Sequence, residues 1–319
     1  MQSATLHLLR HAPGTNVIDN EEAIGLVRAA LHVDPLCAVR QFLTQSGNCI
    51  FRVDLPEGKS TALRVSPQRN AFAYTHHNLD ILRAMGLPVQ TVLASGETAA
   101  GGSFVILNWI PGRDLAYELP QMRSEQMTRV AETVTDYQKR VGCLPRSDGF
   151  GWAPIGGHPT FAQWTNIFGE PATDSISVDA TPLAQLRARL RAVRRSVEPH
   201  FASISPTCFL DDLTTKNVLV ESGRLQGVID CDTVCYGDPL MSVGTTLAHL
   251  AADVGEACRF YGQELIRCWN PQLDALRAIR FYAALWVVGF MAAAETAGEI
   301  ARATELAGIA DAMLSLAET

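Results

Sequence analysis

The spacing of apolar residues changes character near residue 110. Before that point, residues 20–31 (NEEAIGLVRAAL) carry apolar side chains at helical intervals, with Asn20 placed to cap and two acids in the first turn. Residues 38–53 (AVRQFLTQSGNCIFRV) predict two extended segments around the turn-prone Ser46, Gly47 and Asn48. A third strand is expected over residues 60–65 (STALRV), after the turn at Glu57 and Gly58. A helix over roughly residues 71–85 should stop at Gly86 and Pro88. Two more strands follow, near residues 90–94 and 103–109, joined by a glycine-rich link over residues 96–102.

Beyond Ile110, Pro111 and Gly112 the helical period takes over. Residues 122–141 and 181–199 read as long amphipathic helices, and the chain from Thr245 onward reads as almost entirely helical. The apolar run 281–294, between Arg280 and Glu295, falls short of the ~20 residues a membrane span requires and predicts a fully buried helix. One strand-rich island, residues 217–232, interrupts the helical text.

At 319 residues, 47% of them hydrophobic, the chain suits two lobes better than one core. A net charge of −7 with no run of Lys and Arg excludes a nucleic-acid-binding surface. None of the eight cysteines forms a CxxC pair, which points to free thiols in a reducing cytosol. His7, Arg10 and His11 interrupt any apolar stretch at the start, so no signal peptide is expected and the localisation reads as cytoplasmic, with no membrane association. Leu9, Arg10 and His11 resemble the opening of histidine phosphatases, but the alternating β-α pattern such enzymes need is missing. Residues 1–18 read as an N-terminal extension, and the oligomeric state is not legible.

Candidate chemistry concentrates in residues 208–239 (CFLDDLTTKNVLVESGRLQGVIDCDTVCYGDP). Two short apolar strands, joined by the hairpin-type link Glu221-Ser222-Gly223-Arg224, bring Asp212, Asn217 and Asp230 to one end. Carboxylate and amide oxygens together are a donor set suited to Mg²⁺. Asp238, followed by Pro239, is placed to cap the next helix, with Pro239 at its first position. Trp152, Trp164 and Trp286 read as core residues, and Lys216 as an exposed lysine.

Asp212-x4-Asn217, the hairpin, Ile229-Asp230-x-Asp232 and Tyr236-Gly237-Asp238-Pro239 resemble the catalytic core of the aminoglycoside phosphotransferase and choline kinase family, which shares its fold with protein kinases. Weaker likeness extends to the stretch 53–65, to Gly86-Leu87-Pro88-Val89 and to the stretch 109–115. The resemblance implies an α+β, bilobal protein-kinase-like fold with a small β-rich N-lobe (residues 19–108) and a larger helical C-lobe (residues 109–319). It implies ATP-dependent phosphorylation of a hydroxyl on a small molecule that is aminoglycoside-, amino-alcohol- or sugar-like. The alternative is a catalytically silent relative that binds a nucleotide or metabolite without transfer.

By the same resemblance, Asp212 would accept or orient the proton of the acceptor hydroxyl, and Asn217 and Asp230 would hold Mg²⁺ on the ATP phosphates. Ser46, Gly47 and Asn48 would form the phosphate-covering turn, Arg64 would stand where the family has a phosphate-binding lysine, and backbone groups from Asn108 to Ile110 would meet the adenine. Three departures stand out. Leu210 and Asp211 replace the family's His and Gly, so Asp211 competes with Asp212 for the role of base; only Asp212 keeps the four-residue gap to Asn217. No Glu occurs between Gly58 and Glu97, leaving His77, Asn78 or Asp80, or nothing charged, as support for Arg64. Lys216 stands where Gly is common.

Overall fold

The structure is a computed structural model, describing residues 18–34, 38–42, 48–169, 181–255 and 258–318. Its contacts divide the chain into two units. Among the described residues, one unit joins those from Ile18 to Pro111 with the short segment Gly227–Thr233; the other holds Gly112–Gln226 and Val234 onward.

The first unit is built on a five-stranded antiparallel sheet of order β1-β2-β3-β5-β4: β1 (Val39–Phe42), β2 (Cys49–Asp54), β3 (Ser60–Ser66), β4 (Val92–Glu97) and β5 (Ser103–Asn108). Cys49, Phe51 and Val53 alternate inward along β2, and Leu63 and Val65 do so on β3. They form a core with Phe104, Ile106 and the inner face of α1 (Asn20–Leu31), where Ala23 and Val27 are fully covered. The cap of α1 is Asp19 rather than Asn20. Its side chain accepts from the Glu22 amide while the Glu22 side chain accepts from the Asp19 amide, a reciprocal box that Asn20 is one residue too late to make. The second helix, α2 (Thr75–Ala84), begins four residues later than its apolar pattern suggests, because residues 70–74 form turns instead.

The second unit is mainly helical: α3 (Leu115–Glu118), α4 (Ser124–Val141), α5 (Pro182–Ala202), α6 (Leu240–His249), α7 (Arg259–Trp269), α8 (Leu273–Ala297) and α9 (Ile300–Ala317). Short strands position its loops. β6 (Arg113–Asp114), β9 (Val218–Glu221) and β10 (Arg224–Val228) make one small sheet; β7 (Gly151–Ala153), β8 (Thr207–Phe209) and β11 (Val234–Gly237) make another. Strand β11 lies beyond the strand-rich island read at residues 217–232.

Asp238 ties these pieces together. One carboxylate oxygen caps the Leu240 amide at 3.0 Å, and the other takes hydrogen bonds from the Tyr282 hydroxyl and lies 2.8 Å from His200 Nε2. The capping role is as expected, with Pro239 at the cap position itself rather than inside the helix. The Trp164 indole donates to the Tyr282 hydroxyl, so the chain of polar contacts stays satisfied inside the core.

Helix α8 corrects one expectation. Phe281, Tyr282, Ala283, Ala284, Val287, Val288, Met291 and Ala294 are buried, while Leu285, Trp286, Gly289 and Phe290 are only half-buried. The helix is long and apolar enough to cross a membrane by length and composition, and half of its most apolar window is covered within its own unit.

Candidate active site

In the helical unit, β8 delivers the chain to Leu210, Asp211 and Asp212. Buried Gln138 of α4 holds this turn by both backbone groups of Leu210: its amide donates to the Leu210 carbonyl at 2.6 Å and its oxygen accepts from the Leu210 amide at 3.0 Å. A glutamine from a neighbouring helix thus secures the place where the family's histidine is missing.

The two acids then part company. The Trp152 indole donates to the Asp211 carboxylate at 2.5 Å, whereas the Asp212 carboxylate is exposed and receives Thr214 Oγ1 at 3.3 Å. Trp152 is 41% exposed, which corrects its reading as core. The loop closes on itself when Asn217 Nδ2 donates to the Asp212 carbonyl at 3.0 Å and the Thr214 amide donates there at 2.8 Å. Asn217 Oδ1 has no hydrogen bond among the described residues.

Lys216 is not a bare surface lysine. Its ammonium lies 3.2 Å from Asp253, which also meets His249 Nδ1 at 3.0 Å and Arg302 at 3.1 Å. Asp253 sits on a π-helical turn, Leu250–Val254, that continues α6. Burial works against its charge, but His249 and Lys216 outweigh it and hold the carboxyl down at about 2. Behind the loop, burial and the nearby Asp211 charge, against a hydrogen bond with Tyr236, push the Cys208 thiol up to about 12, which keeps it protonated and unreactive.

In the β-rich unit, Arg64 on β3 forms a fork with Asp232: Nη1 donates to Oδ1 at 3.1 Å and Nη2 lies 2.7 Å from Oδ2. The same Nη2 donates to Asp230 Oδ1 at 2.8 Å. Burial opposes the arginine's charge, and the two carboxylates outweigh it and raise its pKa further. Burial lifts the Asp232 carboxyl above its ordinary value, against the pull of Arg64. Thr75 and Asn78 of α2 grip the 231–232 loop rather than Arg64 itself, and Asp80 is taken by His76 and Arg83. The acid supporting Arg64 therefore comes from the loop after β10, not from the candidates on α2. Asp230 has φ of 61°, a left-handed conformation unusual for a residue with a side chain.

The other proposed nucleotide contacts divide. Asn48 lies half-buried just before β2, and Ser46 and Gly47 lie outside the described residues. The Asn108 backbone is already committed, its amide to the Thr91 carbonyl and its carbonyl to the Gln90 side chain. The Trp109 amide donates to Ser60, while the Ile110 amide has no hydrogen bond among the described residues.

The profile of the phosphotransferase enzyme family matches residues 39–280, well over half of the sequence. The chain belongs to the phosphotransferase enzyme family. No curated protein matches it. Among solved structures, this family member is similar to aminoglycoside phosphotransferase APH(4)-Ia, with a TM-score of 0.68 and 16% identity over 93% of this chain and 99% of that one. It is also similar to a thermostable mutant of APH(4)-Ia in ternary complex with AMP-PNP and hygromycin B (TM-score 0.65, 18% identity, 87% and 93% coverage). A third likeness is to an APH(2")-IIia complex with GDP and kanamycin (TM-score 0.68, 16% identity, 91% and 97% coverage). At these identities the likeness establishes the kinase-like α+β fold, with its β-sheet N-terminal region and helical C-terminal region.

The sequence alone supported only a core reading of Trp152 and pointed to no role for Gln138, Thr75 or Asp253. Each acts through a partner far along the chain, and none falls in a family motif.

Proposed function

We propose that this chain is an ATP-dependent kinase that phosphorylates a hydroxyl group of a small molecule, with Asp212 orienting or accepting the hydroxyl proton. The observation that carries this reading is the contrast between the two adjacent acids. Trp152 occupies the Asp211 carboxylate at 2.5 Å, while Asp212 presents an exposed carboxylate from a loop that Asn217 pins by its backbone. A base must reach the proton it takes, and exposure on a fixed loop gives that reach. Phosphoryl transfer otherwise needs positioning and charge neutralisation.

The residues fit a divalent cation separately. Among the described residues Asn217 keeps its amide oxygen uncommitted, and half-exposed Asp230 has one oxygen on Arg64 and the other without a hydrogen bond. These are hard oxygen donors of the kind Mg²⁺ takes. Bound there, Mg²⁺ would neutralise charge on the ATP phosphates. Arg64 would add planar donors for phosphate oxygens, and the Ile110 amide is the hinge donor left to meet adenine. The family, and the neighbours crystallised with AMP-PNP or hygromycin B, support a nucleotide and a small acceptor. We place the protein in the cytoplasm, where thiols such as those of Cys143 and Cys268 stay reduced.

The test is Mg-ATP turnover against aminoglycosides, amino alcohols and sugars. Asp212→Ala should cut transfer by about 10²- to 10⁴-fold while ATP still binds, and Asp211→Asn should keep most of it. Full activity in Asp212→Ala would remove the proposal. One observation favours a silent relative, namely that both terminal nitrogens of Arg64 already meet carboxylates. ATP raising the melting temperature with no acceptor phosphorylated would select that reading.

A further inference from the structure

The contacts of Arg64 are unequal in a way that assigns different jobs to its two acids. Asp232 takes the guanidinium through both carboxylate oxygens, and its side chain is 21% exposed. Asp230 takes it through a single oxygen, and its side chain is 47% exposed. Asp232 is itself held: the Thr75 hydroxyl donates to its Oδ1 at 2.6 Å, and Asn78 Nδ2 donates to its carbonyl at 2.7 Å and to that of Cys231 at 3.1 Å. Among the described residues Asp230 has no comparable side-chain support, and its backbone is left-handed at φ 61°. The guanidinium also rests over the Phe72 ring, 5.1 Å from its centroid.

We propose that Asp232 is the positioning residue that fixes Arg64, and that Asp230 holds the same guanidinium only until a divalent cation takes its carboxylate. This rests on the reading of Arg64 as a phosphate-binding group and of Asp230 as a metal ligand. The local charge supports the exchange, since two carboxylates share one guanidinium and leave a negative charge to be balanced. The geometry supports it too. Nη2 donates its hydrogen bond to Asp230, so releasing Asp230 frees a donor for a phosphate oxygen, while the Nη1 hydrogen bond and the Nη2 ion pair with Asp232 stay in place. Arg64 Nε, buried and without a partner, marks a guanidinium whose donors are not all satisfied. The arginine thus serves as an internal counter-cation before nucleotide arrives.

The experiment titrates Mn²⁺ into the nucleotide-free, full-length protein and follows free Mn²⁺ by electron paramagnetic resonance. Arg64→Gln removes the competing cation and should tighten Mn²⁺ binding about tenfold, the worth of one charged hydrogen bond. Arg64→Lys, which keeps the charge but loses the fork, should fall between that variant and wild type, and it serves if the glutamine variant unfolds. Asp230→Asn should abolish the gain in an Arg64→Gln background. Mn²⁺ affinity unchanged or weakened in both Arg64 variants overturns the exchange. Calorimetry then tests the anchor: Asp232→Asn should weaken ATP binding about tenfold, with partial recovery in Asp232→Glu. ATP affinity equal to wild type in Asp232→Asn overturns the positioning role. Failure of every acceptor to be phosphorylated would sink the kinase reading without altering the Mn²⁺ result. A wild type that binds no ATP sinks the anchoring role together with that reading.

Discussion

Individual side chains here take their properties from neighbours far away in sequence. Asp212 and Asn217 were legible because a short loop sets their spacing, and hydrogen bonds within that loop hold it. Arg64 was legible only as a cation in a strand, because the acids that complete it lie 166 and 168 positions on. Asp211 was ambiguous for the same reason: Trp152, the residue that occupies it, is 59 positions away. Asp114, at the start of α3, shows what burial does to a lone carboxyl. Burial raises it to about 6, against the pull of Lys216 and Arg113. The folded chain therefore holds a proton that the unfolded chain has lost between about pH 4 and 6, and stability falls as pH rises through that window. Asp114→Asn should remove the penalty, raising stability above about pH 6 by up to about 1 kcal/mol, since the group is partly exposed, with no gain below about pH 4. Thermal melts across that range decide it; a gain of equal size at every pH would contradict the assignment.

Elements were readable where periodicity was strong. The β9–β10 hairpin follows from two apolar runs around Ser222 and Gly223, both of which adopt positive φ (54° and 74°) as a two-residue turn of this kind requires. Strands β7, β8 and β11 escaped because each is only three or four residues long, too short for an alternation to show. The half-buried side of α8 escaped for the opposite reason: when every residue in a run is apolar, no period remains to separate the covered face from the less covered one. Packing at β11 also gives a sharp test. A Cβ at Gly237 would overlap the ring of Trp164, which is 2% exposed and fixed by its bond to Tyr282. Gly237→Ala should cost about 1–3 kcal/mol from overpacking, seen as a lower urea midpoint. An unchanged midpoint would show that the Trp164 cluster yields more readily than its contacts imply.

Across the whole molecule, the shift from strand-rich to helix-rich text near residue 110 was visible in the sequence. The attachment of Gly227–Thr233 to the β-rich unit was not, since nothing in those seven residues marks which sheet or helix they will join. That segment supplies both acids of Arg64, the carbonyls that Asn78 bonds, and the Val228 amide that donates to Pro88. A fragment ending at Pro111 would strip buried Asn78 of its bonds to the 231 and 232 carbonyls and Arg64 of both carboxylates, at about 1–3 kcal/mol for each group. Such a fragment should melt well below the full chain or show no cooperative transition by circular dichroism. A cooperative melt at the full chain's temperature would contradict this.

The same discontinuity bears on how the chain is made. A ribosome reaches Thr233 only after roughly 120 residues beyond Pro111, about 6 to 24 s at typical rates of synthesis. Throughout that interval the first sheet to emerge still lacks the counter-charges for its central arginine. The β-rich unit, though its sheet is made before the helical unit begins, is therefore finished only by a segment made much later, and it is there that a chaperone would find an incomplete surface to hold.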